Sequence, residues 1–202
     1  VDAFKESDLE LELRENPESF LHIIKPTWEN AKDSSTQKHK LVAENFQEFL
    51  ESDRVEKDRS SYYIYQITKP NKEKVKAMIG LVNMDDYSSG TIKIHEATLN
   101  KRVEVFAEYL QNIHFHAEPV LLTYPYNQRI DLLMDVEMKK KAVISFKDKD
   151  ENQHQLWQIE NRLNMQQIKD SIEKYENLYI ADGHHRMESS LVYTQNMRKK
   201  MK

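Results

Sequence analysis

The chain has 202 residues, 39% apolar and 32% charged, which is enough for one full domain with a buried core under a heavily charged surface. Its 30 Lys and Arg and 34 Asp and Glu are mixed along the chain to a formal net charge of −4, which speaks against a nucleic-acid groove as its main business. Without cysteine it has no disulfide, thiolate zinc site or cysteine nucleophile, and it lacks both a signal-peptide pattern and an apolar run near about 18 residues. A cytoplasmic protein with no membrane partner is expected.

Residues 7–15 carry Leu9, Leu11 and Leu13 in strand-like alternation, but Ser7 and the Leu9/Leu13 pair favour a capped helix. Asn16-Pro17 breaks it, and Phe20–Ile24 reads as a buried strand ended by Pro26, with His22 a satisfied core or edge histidine. A polar loop from Thr27 leads to Ser34 or Ser35, which cap an amphipathic helix through Glu51. Its apolar face is Val42, Phe46, Phe49 and Leu50, and His39 lies on its polar side. Tyr62–Thr68 and Val75–Met84 form a hairpin around the Lys69–Glu73 turn, with Tyr63 and Tyr65 on a sheet face. Gly80, one of only three glycines, marks a bulge or a close backbone approach.

A turn at Asp85–Gly90 precedes the strand Thr91–Glu96, and a helix follows through Asn112 with Val103, Phe106, Ala107, Leu110 and Ile113 as its stripe. Asp85, Asp86, Lys93, His95 and Glu96 gather at this join of sheet and helix, either a cleft lining or an ordinary charged loop. His114-Phe115-His116 alternates like a strand that presents two histidines on one face, the geometry of a two-histidine metal pair, although no third ligand is close. Pro119–Pro125 is a short strand, Gln128–Lys139 a helix, Ala142–Phe146 and Gln155–Ile159 a strand pair, and Asn164–Tyr175 a helix. Strands and helices alternate throughout, the pattern of an α/β (α+β) fold with a mixed sheet and flanking helices. The start at Val1 and the terminal helix running into Asn196–Lys202 suggest that residues 1–202 are a single α/β domain or a truncated part of a longer protein.

The densest chemistry is the strand-turn-helix at 178–198. The apolar run Leu178–Ala181 breaks at Asp182-Gly183 into His184, His185 and Arg186, which open a helical pattern. Gly183 lets backbone come close to a ligand, the free N–H groups of a helix start favour an anion, and Arg186 offers a two-pronged donor to phosphate oxygens. The competing reading is a strand that ends in an exposed polar turn.

Several stretches, Asn16–Pro26, Tyr62–Tyr65, Asp85–Tyr87, Ile92–Glu96, Ala117–Val120 and Tyr179–Arg186, resemble the bacterial family catalogued as domain of unknown function 1015. The Asp-Gly-His-His-Arg string also resembles the phosphate-binding motif of the ParB/sulfiredoxin superfamily, which includes free serine kinases. That resemblance implies a ParB/sulfiredoxin-like core in which Gly183, His184, His185 and Arg186 contact phosphate. Asp182 would place a histidine or a magnesium ion, and Glu96 would be the catalytic base with His184 and Asp182 beside it. Family genes commonly sit beside those of serine biosynthesis, which implies phosphoryl transfer on serine or O-phosphoserine. Mg2+ and a nucleotide or pyrophosphate would be the cofactors, and a small phosphorylated metabolite or nucleotide the partner. Two other readings stay open: a non-catalytic nucleotide- or phosphate-binding regulatory module, and metal-dependent hydrolysis through His95, His184 and His185.

Overall fold

The computed structural model describes residues 6–25 and 35–201. In chain order its elements are α1 (Glu6–Glu15), α2 (Leu21–Ile24), α3 (Ser35–Glu51), β1 (Tyr62–Thr68), β2 (Lys74–Ile79), α4 (Met84–Ser88) and β3 (Ile92–Lys93). There follow α5 (Asn100–Ile113), β4 (Leu121–Thr123), α6 (Gln128–Glu137), β5 (Ile144–Lys147), β6 (Gln153–Ile159), α7 (Arg162–Ile172), β7 (Leu178–Asp182) and α8 (His184–Lys200). The α/β (α+β) class therefore holds, with the strands divided between two sheets. The residues group into two compact units: residues 1–56, 96–121 and 182–202 form the first, and 57–95 with 122–181 the second. No helix among the described residues is long and apolar enough to cross a membrane.

The first unit is helical. Val103, Ala107, Leu110 and Ile113 recur every three or four residues along α5 and bury one face, with α3 and α8 packed against it. Helix α5 starts four residues later than the sequence suggests, so Glu96 lies in the loop before it. Phe20–Ile24, expected as a strand, is instead the turn of helix α2, with Lys25 N–H donating to Leu21 O at 2.7 Å. So short an apolar run has no period that separates strand from helix. Packing decides it, because the helical turn brings Phe20 edge-on to Phe46, Phe49 and Phe115 at 6.3, 5.9 and 6.1 Å. Pro26 to Ser34 lie outside the described residues, as does the cap expected there. Leu50, assigned to the apolar face of α3, is exposed, whereas His39 packs edge-on against Tyr109 at 5.3 Å.

The second unit holds a four-stranded antiparallel sheet of order β2-β1-β6-β5, with Ile64 opposite Met78 on one side and Trp157 on the other. Ile64, Trp157 and Ile159 form a core with Ile130 and Met134 of α6 and Ile168 of α7. A three-stranded sheet, β3-β7-β4, pairs β3 with β7 in parallel, Ile92 opposite Leu178. Strand β2 stops at Ile79 rather than Met84. Gly80 follows it, where an added Cβ would sit 3.0 Å from the Tyr62 ring, so the close approach holds and the bulge does not. The expected turn at Asp85–Gly90 begins with α4, capped by the Asn83 side chain accepting from Asp85 N–H. The strand expected over Thr91–Glu96 shrinks to Ile92 and Lys93, and Ile94 is exposed. His114 takes φ 62° as the C-cap of α5, so His114–His116 is a helix exit and not a strand.

Glu137 was not legible as a core position, yet it is 1% exposed. Ile130, Met134 and Glu137 stand at i, i+4 and i+7, which puts the carboxylate on the buried face of α6 and turns Val136 outward. Its Oε1 accepts from Asn164 Nδ2 of α7 at 2.6 Å, and its Oε2 pairs with Lys140. Glu137→Ala should lower unfolding free energy by about 2 kcal/mol, through the lost hydrogen bonds and the cavity left behind. A urea titration that shows no change would mean that the buried carboxylate does not tie α6 to α7.

Candidate functional site

The chain leaves β7 at Asp182, and Gly183, at φ 90°, is the N-cap of α8. Only glycine holds that left-handed conformation without strain, and it leaves the first N–H groups of α8 without partners inside the helix. Four residues of the turn and helix start then acquire distinct neighbours within the first unit. Arg186 donates from Nη1 to Glu118 Oε2 and from Nη2 to Asp182 Oδ2, both at 2.8 Å. Its Nε is buried without a hydrogen-bond partner, packed where a β-carbon at Gly183 would come within 3.1 Å of it. The glycine thus makes room for the guanidinium, which in turn holds two carboxylates around the turn.

His184 is buried, 6% exposed, and its Nδ1 lies 4.0 Å from Oε2 of Glu96, whose own side chain is 68% exposed. His185 Nε2 accepts the backbone N–H of Leu99 at 3.1 Å. An N–H can only donate, so in this arrangement the His185 proton sits on Nδ1. This bond fixes the loop that carries Glu96 just before α5 to the first turn of α8. The structure therefore brings together Asp182, Gly183, His184, His185, Arg186 and Glu96. Asp85 and Asp86, in the first turn of α4, and Lys93 and His95 are exposed residues of the second unit.

Glu118, His116 and Ser190 belong to the arrangement and were not assigned roles from the sequence. His116 Nε2 meets Ser190 Oγ at 2.7 Å, and Ser190 Oγ donates to Arg186 O at 2.8 Å. The serine has spent its one proton on the carbonyl, so His116 donates from Nε2. The only signal for these residues is that His116 and Glu118 flank the exit of α5 while Arg186 and Ser190 are one helical turn apart. His114 makes a parallel contact, Nδ1 to Tyr193 Oη at 3.0 Å, so the two histidines serve separate partners and do not form a ligand pair.

Partial burial, and then the nearby Arg186 charge, lower the pKa of His116 from its ordinary value. Its contribution to stability is complete above about pH 6.5, where the imidazole is neutral in both the folded and unfolded chain. As pH falls below that, the unfolded chain takes up the proton first, stability declines, and the loss levels off below the folded-state pKa. Urea midpoints measured through this range should fall less steeply in His116→Gln than in the parent chain, and equal slopes would contradict the assignment.

Gly183→Ala should be strongly disruptive for its size. The φ of 90° and the approach to Arg186 Nε and Nη2 at 3.1 Å together should cost about 1–3 kcal/mol. Thermal unfolding measures this directly, and an unchanged melting temperature would show that the turn relaxes freely.

The whole chain, residues 1–202, matches the model of a family described as "Protein of unknown function (DUF1015)", and the chain belongs to that family. No curated protein and no solved structure matches it.

Proposed function

We propose that this family member transfers a phosphoryl group to or from a small hydroxyl metabolite, serine or O-phosphoserine being the fitting class, at a ParB/sulfiredoxin-like Asp182–Arg186 turn. The observation that carries the reading is the placement of Glu96, distant in sequence, 4.0 Å from His184 at the start of α8. Phosphoryl transfer asks little covalent chemistry of a protein: it needs phosphate positioning, charge neutralisation and a carboxylate for the hydroxyl proton. The N–H groups at the start of α8 supply donors for phosphate oxygens. Glu96, exposed and free to meet substrate, takes the hydroxyl proton as the new O–P bond forms and the bond from phosphorus to the leaving oxygen breaks. Buried His184 orients that carboxylate, and the bond from Leu99 N–H to His185 holds its loop in place.

Charge balance favours a divalent cation. Among the described residues, the Arg186 guanidinium is already committed to Asp182 and Glu118, so a cation that brings its own charge suits an incoming phosphate beside Asp182 and Glu96. Asp182 is 73% exposed and uses only Oδ2 toward Arg186, which suits magnesium, an ion that takes one or two carboxylates together with phosphate oxygens and water. Bound there, magnesium would neutralise phosphate charge.

Phosphorus NMR tests the reading. The chain is incubated with magnesium and O-phosphoserine, and separately with serine and ATP, ADP or pyrophosphate. A new phosphate or phosphoserine resonance, with its donor consumed, supports phosphoryl transfer. Broadened nucleotide lines without any new resonance would replace it with the regulatory-module reading.

A further inference from the structure

We infer that Tyr65 is the tyrosine of this chain built to accept an acyl group, its hydroxyl activated by His154 and Asp148 on the open face of the four-stranded sheet. Side chains alternate across a strand, so Tyr65 and Ile67 of β1 share with His154 and Leu156 of β6 the face away from the Ile64 core. Ile67 stands opposite His154 and Tyr65 opposite Leu156, which makes Tyr65 and His154 diagonal neighbours within reach of long side chains. Tyr65 Oη meets His154 Nδ1 at 2.6 Å, and His154 Nε2 meets Asp148 Oδ2 at 2.9 Å. Hydroxyl, imidazole and carboxylate thus form one continuous chain.

The turn between β5 and β6 decides where the protons sit. Asp148 Oδ1 accepts the backbone N–H groups of Asp150 and Asn152, at 2.9 and 2.8 Å, and Oδ2 accepts Asn152 Nδ2 at 2.8 Å. The Asn152 side chain, then His154, then those backbone amides hold its carboxyl well below the ordinary carboxylate range, so it is an ionised acceptor. His154 must donate to it from Nε2, and a neutral imidazole then leaves Nδ1 bare to accept the Tyr65 proton. The Phe146 ring lies parallel to this imidazole at 4.8 Å and 9°, which steadies its plane. Carboxylate, histidine and hydroxyl in this order are the parts of an acyl-transfer triad, which is recognised by geometry and roles and not by sequence position.

Burial, and then the Asp148 charge, raise the pKa of Tyr65 above its ordinary value. The phenol therefore keeps its proton until it attacks, and His154 takes the proton at that moment as general base. Tyr65 Oη bonds to the carbonyl carbon of an activated ester while its proton moves to Nδ1. The bond from that carbon to the leaving oxygen then breaks, and the leaving oxygen takes the proton back from Nδ1. Tyr65 is left acylated and His154 neutral. An uncharged acyl donor is the fitting class, because the strand neighbours of Tyr65 on this face are the apolar Ala77, Ile67 and Leu156.

Two other tyrosines each have one part of this arrangement. Tyr63 donates straight to Asp58 Oδ2 at 2.6 Å, and Tyr193 meets His114 Nδ1 at 3.0 Å with no carboxylate behind that histidine among the described residues. The test treats the full chain briefly with p-nitrophenyl acetate and follows acetylation of its ten tyrosines by peptide mass spectrometry. Tyr65 should be acetylated about tenfold faster or more than Tyr63 and Tyr193, a comparison that needs no variant. His154→Gln and Asp148→Asn should each slow Tyr65 about tenfold or more while Tyr193 keeps its rate. A merely structural histidine has the opposite effect, since its loss uncovers the Tyr65 hydroxyl and speeds labelling. Tyr65 labelling no faster than that of Tyr63 or Tyr193, or Tyr65 labelling that either substitution leaves unchanged or raises, would overturn the inference.

Discussion

Arg186→Ala should abolish most phosphoryl transfer and also loosen the turn that carries it. The guanidinium touches both Glu118 and Asp182, at 2.8 Å each, and its side chain is only 21% exposed. Without it Asp182 and Glu118 lose the guanidinium that bridges them, and an incoming phosphate meets less positive charge at the start of α8. Loss of such a preorganised charge lowers turnover on the order of a hundredfold or more. The stability cost should be smaller, about 1–2 kcal/mol, because water reaches both carboxylates once the arginine is gone. Arg186→Lys separates charge from shape: an ammonium restores one pairing but not the fork, so it should recover stability better than rate. Thermal unfolding and phosphoryl-transfer rates measured on the same preparations distinguish these effects. If Arg186→Ala retains the parental rate, the guanidinium has no part in the chemistry.

The turn itself was the most legible part of this chain. A short apolar run, one glycine and a polar cluster predict strand, turn and helix at 178–198, and β7, Gly183 and α8 follow that order. The hairpin, the α5 stripe and helix α6 were readable for the same reason, since their apolar spacing repeats often enough to fix a period. Segments of three to six residues failed instead. Phe20–Ile24, Asp85–Gly90 and His114–His116 have no period to read, and packing or capping decided each. Within the site, Glu96 beside His184 was reached only through family resemblance. Glu118 and His116 carried no local signal, because their meaning comes from α5 and α8 lying side by side, which no stretch of sequence states. Glu137 shows the opposite case, where i, i+4, i+7 spacing was present but a carboxylate was not read as buried.

Glu96→Gln is the sharpest test of the account. The amide keeps the shape and reach of the side chain in the loop before α5 but cannot take up the hydroxyl proton. A positioned general base contributes about 10²–10⁴-fold in rate, so loss of the base should cut turnover by at least the lower figure. The phosphate donors at the start of α8 and the Arg186 pairs are untouched by this change, so binding should survive. The measurement is a single-turnover phosphoryl-transfer rate together with nucleotide affinity, on parent and Glu96→Gln proteins in the same magnesium buffer. The Glu96→Gln protein should show a rate at least about a hundredfold lower with affinity within about twofold. A Glu96→Gln protein that turns over at the parental rate would contradict it and remove Glu96 from the chemistry.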